Sequence, residues 1–228
     1  MEGEINSYMN IEEVKEYTKM YLSYLPCDNF LYDEEDRQRR YDRLSKAEKL
    51  SHCVSVINKG NRFSYLDYLY KLGAITDQEC ADEVYSIWTM QERFHDCGMC
   101  KTKLIKFMKM AMKSPLLQSD IDDLSPDDMV TIYRGVGINS HKGLSWTTDK
   151  NVAEWFAKRF KTDGDKGYVF TGRVHKKDIL GLFNSRNEQE VVCDYRKIKD
   201  IQCEEIIICD SLNSQFNKHI KNTIMCGW

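Results

Sequence analysis

Apolar side chains recur every three or four positions through the first half of the chain, which is the spacing of helices with one buried face. Such runs lie at residues 17–25, 65–72, 83–94 and 103–112. The first run is formed by Tyr17, Met20, Tyr21, Tyr24 and Leu25. Gly73 stands where one helix would end, and Thr76 with Asp77 offers the next helix an N-cap. The pattern predicts a helical region over residues 1–126.

The pattern changes after the acidic, proline-containing connector DIDDLSPDD, which runs from Asp120 to Asp128. Beyond it, short segments rich in β-branched and aromatic residues predict strands. These segments are Met129–Val136, Gly143–Thr147, Tyr168–Val174, Glu190–Cys193 and Glu205–Cys209. A strand-rich core is therefore predicted over residues 127–215, followed by a C-terminal tail at 216–228.

One helix is predicted among the strands, from about Asn151 to Phe160, with Thr148 or Asp149 as its N-cap. Its apolar stripe consists of Val152, Trp155, Phe156 and Phe160. Strands interrupted by a single helix predict an α+β fold and not a repeating βαβ array. The helical first half is expected to pack on this core, so that one integrated domain and two domains both remain open.

The distribution of charge argues against a protein that binds nucleic acid through a large basic surface. Of the 228 residues 30% are charged, and residues 1–126 carry 17 basic and 22 acidic side chains, so no segment is basic enough for a nucleic-acid footprint beyond a local patch. The mixed-charge stretch DEEDRQRRYDR, Asp33 to Arg43, is typical of a solvated helix face.

The compartment follows from the cysteines and from the absence of targeting signals. Nine cysteines form no regular framework, and the start MEGEINSYMNIEE is too acidic and polar for a secretory signal. No apolar run approaches the roughly 18 residues that span a membrane. We therefore expect a cytoplasmic protein with free thiols and no membrane partner, acting in the producing cell or in the cytoplasm of a host or target cell.

Arg134 is the first residue whose chemistry needs an explanation. In an alternating strand it shares a face with Val130, Ile132 and Val136, so its guanidinium is predicted to be buried. An unpaired buried charge costs several kcal/mol. Arg134 therefore either pairs with a core acid or binds an anion such as a phosphate, and Gly135 beside it would let a ligand approach the backbone.

The segment Gly143 to Asp149, GLSWTTD, combines hydroxyl groups with a tryptophan. Ser145 and Thr147 alternate with Trp146, so both hydroxyls are predicted on one side of the strand. The segment is either a strand entering a helix through a hydroxyl cap or a site for a flat ring with polar edges.

Glu188 and Glu190, in NSRNEQEVV, introduce a later strand. On an extended strand they would lie on the same face, ~6.6–7 Å apart. Paired carboxylates can stabilise a cationic, oxocarbenium-like centre and accept a nucleophile's proton, although solvent-facing alternation gives the same pattern. The polar residues before them, Asn184 to Asn187, predict a substrate-contacting loop.

His95, Cys97 and Cys100, in FHDCGMCK, have the spacing of zinc ligands. The chain has no second Cys-x-x-Cys to complete a site, so buried helix thiols are the expectation and no metal is assigned. A glycine-rich phosphate loop and a Rossmann fingerprint are also absent from the sequence, and any nucleotide must be held differently.

Taken in order, three motifs resemble the mono-ADP-ribosyltransferases of the Arg-Ser-Glu class, which includes bacterial toxins and phage enzymes. They are YRG (Tyr133–Gly135), LSWTTD (Leu144–Asp149) with the helix AEWFAKRF (Ala153–Phe160), and NEQE (Asn187–Glu190). The resemblance covers residues 127–209. The middle motif departs from the family's Ser-Thr-Ser, and Ser-Trp-Thr is a pattern associated with phage and mobile-element members.

The resemblance implies a core of two packed small sheets that holds NAD, as substrate, in the cleft between them. Arg134 would bind its phosphate or ribose, and Gly135 would offer backbone groups to the nicotinamide amide. Ser145 would support both the catalytic glutamate and the nicotinamide ribose, with Thr147 as the second hydroxyl. Trp146 and Phe156 complete the predicted NAD contacts, and the first half of the chain would supply a wall of the cleft and recognise the target.

The same resemblance makes Glu190 the catalytic acid that binds the ribose hydroxyl and stabilises the oxocarbenium ion. Glu188 would orient or deprotonate the acceptor, for which a glutamate at this position indicates arginine. Asn184, Arg186 and Asn187 would form the loop that meets the acceptor. The implied activity is transfer of ADP-ribose from NAD to a macromolecule, a protein above all, in conflict between phage and host.

Three alternatives stay open at the level of sequence. The acceptor could be water, which would make the chain an NAD glycohydrolase, or a nucleic acid. A protein of the same fold could also act without catalysis, by occluding a partner. The complete set of three motifs argues against the last alternative, because a pure binding module needs none of them.

Overall fold

A computed structural model describes residues 10–25, 33–90, 99–112, 120–159, 161–162, 164–184 and 187–208. The chain divides into two compact units, Met1–Ala111 and Met112–Trp228. The predicted connector belongs to the second unit, because Ile121 lies in its core and Lys176 Nζ donates to the carbonyls of Asp122 and Ser125, at 2.6 Å each. The change from a helical to a strand-like sequence pattern at residue 126 therefore falls inside the second unit.

The described part of the first unit is helical. Its helices are α1 (Ile11–Tyr24), α2 (Glu34–Ser45), α3 (Leu50–Ser55), α4 (Arg62–Lys71), α5 (Asp77–Met90) and α6 (Lys101–Ala111), with a 3₁₀ turn at Lys59–Asn61. The buried face of α1 consists of Val14, Thr18 and Leu22. The predicted stripe of α1 is wrong, because Met20 and Tyr24 are 46% and 74% exposed.

The boundary between α4 and α5 confirms both predicted signals. Gly73 takes a left-handed φ of 71°, and the Gly73 and Ala74 amides donate to the Tyr70 and Leu69 carbonyls, both at 3.1 Å. At the start of α5 the Thr76 hydroxyl accepts from the Glu79 amide, while the Glu79 carboxylate accepts from the Thr76 amide. Local chemistry thus sets where one helix ends and the next begins.

The solvated helix predicted from the mixed-charge stretch is confirmed as α2. Asp33 caps it by accepting from the Asp36 amide at 2.6 Å, and Leu44 is its buried residue. Its charges pair mainly with one another, as in Arg40 Nε with Asp36 at 2.6 Å. The charge run therefore has a structural explanation in the spacing of one helix face.

The second unit is mixed helix and strand, as the α+β prediction requires. Its elements are β1 (Met129–Val136), β2 (Ser145–Thr147), α7 (Lys150–Lys158), β3 (Lys166–His175), β4 (Ile179–Phe183), β5 (Glu190–Cys193) and β6 (Lys199–Ile207), with 3₁₀ turns at Lys176–Asp178 and Tyr195–Lys197. The strands pair antiparallel in the order β4-β5-β2-β1-β3-β6. Among the described residues, no helix has both the length and the apolar character needed to cross a membrane.

Strand pairing corrects the expectation of two separate sheets. The strands form one sheet, but β1 and β2 share a single register pair, Tyr133 with Thr147. Two three-stranded parts therefore meet at one narrow junction. Both contribute to one core cluster, for example Ile132 and Phe170 from one part and Trp146 and Val191 from the other.

Helix α7 packs on β1 and β3 through small residues. Asp149 caps it by accepting from the Asn151 amide at 2.8 Å, as one of the two predicted caps. Its buried residues are Ala153 and Ala157. The predicted apolar stripe is therefore wrong as the buried face, because Val152, Trp155 and Phe156 are half-buried; Phe160 lies outside the described residues. The alanines allow the helix backbone to approach the sheet closely.

Candidate functional site

Strand pairing brings the three predicted motifs together. Strands β1, β2 and β5 are adjacent in the sheet, and Thr147 on β2 pairs with Tyr133 on one side and with Glu190 on the other. Ser145, on the same face of β2 as Thr147, pairs with Val192. Side chains paired across antiparallel strands have Cβ atoms about 4.5–5.5 Å apart. The junction between the two parts of the sheet is therefore also the place where the motifs meet.

The guanidinium of Arg134 is buried at this junction. One terminal nitrogen, Nη1, donates to the Ser145 carbonyl at 2.5 Å. Its Nε is buried and has no hydrogen-bond partner among the residues that the structure describes. Burial lowers the pKa of Arg134, and the nearby Cys193 and Glu190 act in the opposite direction. Arg134 is therefore a buried cation near an acid, and the described residues leave its Nε without a hydrogen bond.

Gly143 makes room for that guanidinium. A Cβ at residue 143 would lie 2.2 Å from Arg134 Cζ and 2.3 Å from Nη2. The Gly143 carbonyl accepts from Trp146 Nε1 at 3.0 Å, which fixes the same segment from its other side. Gly143 has no role predicted from the sequence, and a glycine two residues before the strand that carries the motif was the available signal.

Gly135 has a packing explanation. A Cβ there would lie 1.6 Å from the Ala153 carbonyl oxygen and 2.7 Å from the Ala157 nitrogen, so α7 permits only glycine. The absence of a side chain thus follows from helix packing. A role for the Gly135 backbone toward nicotinamide stays a prediction.

The three residues of β2 separate into two roles. Trp146 is 2% exposed and part of the core cluster, so its ring has a packing role here, and contact of this ring with a ligand stays a prediction. The Thr147 hydroxyl donates to the Glu188 carbonyl at 2.7 Å and accepts from the Asp149 amide at 3.0 Å. Thr147 therefore links the loop that carries Glu188 to the start of α7. Ser145 is half-buried beside Arg134.

The two glutamates do not share one extended strand. Glu190 is the first residue of β5 and is 8% exposed, but Gln189 before it has a left-handed φ of 44°. The strand alternation predicted for Glu188 and Glu190 is therefore wrong, because Glu188 lies in the loop. The buried acid and the loop acid occupy different environments, which is compatible with different roles.

The predicted substrate loop is described in part. Asn184 and Asn187 are exposed, and the Asn187 amide donates to the Asn184 carbonyl at 3.0 Å, while Arg186 lies outside the described residues. On α7, Phe156 packs edge-on against Trp155 with ring centroids 4.9 Å apart. Arg159 lies over both rings, with its Cζ 5.0 Å from the Trp155 centroid and 5.9 Å from that of Phe156.

The zinc motif is described only at its last residue. His95 and Cys97 lie outside the described residues, and Cys100 is exposed. Within the described ranges, no group of three or more His, Cys, Asp or Glu side chains is arranged to hold a metal ion.

Searches of protein-family models, curated proteins and solved structures find no match to this chain.

Proposed function

We propose that this chain is a mono-ADP-ribosyltransferase that cleaves NAD and transfers ADP-ribose to an arginine side chain of a protein. The observation that carries the proposal is the meeting of Arg134, Ser145 and Glu190 on three adjacent strands. Together they offer a buried cation, a hydroxyl and a buried carboxylate, the groups needed to bind a dinucleotide and to stabilise a cationic sugar. A small ADP-ribosyltransferase core, in which the one sheet divides into two three-stranded parts at the narrow pairing of β1 with β2, belongs to the same proposal.

Arg134 would hold an anionic part of NAD. Its buried Nε has no partner among the described residues, so a phosphate or ribose oxygen that accepts from this nitrogen would complete its hydrogen bonding. A guanidinium binds phosphate through several parallel hydrogen bonds, and burial strengthens each of them. The charge that is costly in the unliganded fold thereby contributes to binding.

Glu190 would act where positive charge develops. When the bond between the ribose C1′ and the nicotinamide nitrogen breaks, nicotinamide leaves with the electron pair and the ribose becomes an oxocarbenium ion. A buried carboxylate beside that ion stabilises it more than water does, because the carboxylate is fixed in place before the reaction. The Ser145 hydroxyl would hold the ribose against it.

Glu188 would act on the acceptor and not on NAD. Its loop position separates it from Glu190, so the two carboxylates can act on different reactants. An arginine nitrogen of the acceptor would attack C1′ and lose a proton, which Glu188 would accept as general base. Asn184, Arg186 and Asn187 would contact the acceptor, and Phe156 would contact NAD.

The test is labelling of a cell lysate with biotinylated NAD by the purified full chain. Glu190→Gln should lower labelling by about 100-fold or more, as loss of a group that stabilises the transition state does. Glu205→Gln removes an exposed acid on β6 and serves as the matched control, with labelling unchanged. Equal labelling by Glu190→Gln and by the parent chain would contradict the proposal.

The same assay separates the alternatives. Glu188→Gln should abolish transfer while NAD consumption continues, and free ADP-ribose release by the parent chain without labelled product would instead identify a glycohydrolase. Label removed by nuclease and not by protease would identify a nucleic-acid acceptor. Retention of biological activity by Arg134→Ala combined with Glu190→Ala would identify a binding protein that acts by occlusion. Mass spectrometry of the labelled band would identify the target, which the phage-type resemblance suggests is host machinery or a defence complex.

A further inference from the structure

The loop that carries Glu188 contains two residues in an uncommon backbone conformation. Asn187 and Gln189 have φ values of 54° and 44°, in the left-handed region that residues other than glycine rarely adopt. Asparagine tolerates this region better than most residues, whereas glutamine has no such advantage. A conformation of this kind persists when contacts around it hold it in place.

Those contacts come from Thr148, the residue that follows β2. The Thr148 amide donates to the Gln189 carbonyl at 3.2 Å, and the Thr148 hydroxyl donates to the Gln189 side-chain carbonyl oxygen at 2.8 Å. Both main chain and side chain of Gln189 are thus bound to one neighbour. We call this pair, Thr148 with Gln189, the loop clamp.

The loop clamp decides where Glu188 lies. If Gln189 were extended, Glu188 would continue β5 and share a face with Glu190, about 6.6–7 Å from it. With Gln189 held at positive φ, Glu188 instead stays in the loop, where the Thr147 hydroxyl donates to its carbonyl. The separation of the two acids therefore depends on a residue that stands between them.

We propose that Thr148 and Gln189 are positioning residues that set Glu188 for the acceptor and so favour transfer over hydrolysis. This inference rests on the proposed function, because it assigns the choice of acceptor to that same site. In the proposed site neither residue is assigned a contact with NAD or with the reacting atoms. Their effect should appear in the partition between acceptor and water and not in the binding of NAD.

The matched variants are Thr148→Val and Thr148→Ser. Valine keeps the branched shape and the backbone amide but removes the hydroxyl donor, whereas serine keeps the donor. For Thr148→Val we expect kcat for transfer to fall about 10-fold, with NAD hydrolysis and the KM for NAD within about twofold. Thr148→Ser should restore the parent ratio of transfer to hydrolysis.

A structural readout accompanies the kinetics. Amide hydrogen exchange at Asn187 to Glu190 should become about 3- to 10-fold faster in Thr148→Val, the effect of one lost hydrogen bond, and should stay unchanged in Thr148→Ser. Unchanged exchange in Thr148→Val would overturn the loop clamp whatever the activity. Faster exchange with an unchanged ratio of transfer to hydrolysis would overturn its role in partition.

The experiment also separates the two proposals. A parent chain that consumes no NAD contradicts the proposed function and, with it, the partition role. A parent chain that transfers ADP-ribose, together with a Thr148→Val variant that does so equally well, contradicts the partition role alone and leaves the proposed function standing.

Discussion

Gly135 is the residue at which one added carbon meets the most rigid surroundings. A Cβ there would lie 1.6 Å from the carbonyl oxygen of Ala153, which belongs to the backbone of α7 and cannot move aside without moving the helix. We expect Gly135→Ala to lower the free energy of unfolding of the second unit by about 3 kcal/mol, the upper range for overpacking. Urea denaturation, monitored by hydrogen exchange at amides of β1 and β3, measures this loss of unfolding free energy.

Gly137 provides the control for that substitution. A Cβ at residue 137 meets the Lys161 side chain, 2.8 Å from Cε, and a flexible lysine can move away. Gly137→Ala should therefore change the unfolding free energy by less than about 0.5 kcal/mol. Similar losses for both glycines would contradict the assignment of Gly135 to helix packing.

Cysteine reactivity is a second prediction at the scale of residues. Burial raises the pKa of the Cys53 thiol to about 11 and the pKa values of the Cys80 and Cys193 thiols to about 12. Cys100 and Cys203 are exposed, although partial burial also raises the pKa of Cys203. Because the thiolate is the reactive form, iodoacetamide at pH 8 should label the five described cysteines in the order Cys100, then Cys203, then the buried three, which should react at least about 10-fold more slowly. Mass spectrometry of labelled peptides checks the order, and rapid labelling of Cys193 in the folded chain would contradict it.

Residue roles at the site were only partly predictable. The motifs identified Arg134, Ser145 and Glu190, because residue type and order are properties of the sequence. The burial of Trp146 and the left-handed Gln189 were not predictable, because they depend on which residue of β2 pairs with which residue of β5. Alternation along one strand restricts which of its residues share a face, but it does not identify the partner strand or the residue that lies opposite, which depend on contacts between distant segments.

At the scale of elements, the capping box of α5 allows a quantitative test. Thr76 and Glu79 satisfy each other's backbone amides at the helix start, at 3.2 and 2.7 Å. Thr76→Ala removes one of these bonds and should cost about 1 kcal/mol of unfolding free energy in the first unit. Thr89→Ala, in the last turn of the same helix, is the control and should be near neutral, because its hydroxyl donates to the Ser86 carbonyl of its own helix and caps no backbone amide among the described residues. An equal loss for both variants would show that the cap contributes nothing of its own.

Elements were predictable where local chemistry sets them. Strands β1 and β5 have the predicted bounds, and the end of α4 follows from Gly73. Strand β4 was missed because Ile179–Phe183 is a short apolar run interrupted by glycine, which carries no clear period. Strand β6 begins earlier than predicted because Lys199 and the residues after it lie at the sheet edge, where exposed polar side chains replace alternation.

At the scale of the whole molecule, the acids of the first unit give it a stability that rises and then falls with pH. Asp67 is buried, which by itself would raise its pKa, but hydrogen bonds from Lys103 and Lys71 lower the pKa overall. Hydrogen bonds from Tyr70 and Lys106 lower the pKa of Asp77. A lowered pKa in the folded state means stability that is present above the unfolded value and lost as pH falls through the folded one. Both groups therefore destabilise the first unit below about pH 4.

The pKa of Glu83 is shifted in the opposite direction. Together with the two aspartates it predicts that the first unit is most stable near pH 4.5. Burial raises its pKa from 4.5 to about 6, with Asp82 adding to the rise and Lys49 and Arg62 opposing it. Between these values the folded state binds the proton more tightly, so stability is highest below the unfolded pKa and falls as pH rises through 6. The shift corresponds to about 2 kcal/mol, which screening of this partly exposed group reduces to about 1 kcal/mol. Glu83→Gln should remove the fall between pH 4.5 and 7.

The measurement is hydrogen exchange at core amides of the first unit, such as Leu69 and Val84, corrected for intrinsic rates, because a chain of two units need not unfold in one step. Glu48→Gln removes an exposed acid of the same unit and should leave the pH profile unchanged. If the parent chain were instead most stable at pH 7, or if both variants altered the profile alike, desolvation of Glu83 would not be the cause. A fall that disappears only in Glu83→Gln ties the pH response to this one carboxylate, which is half-buried on α5 and interacts with the charges of Lys49 and Arg62.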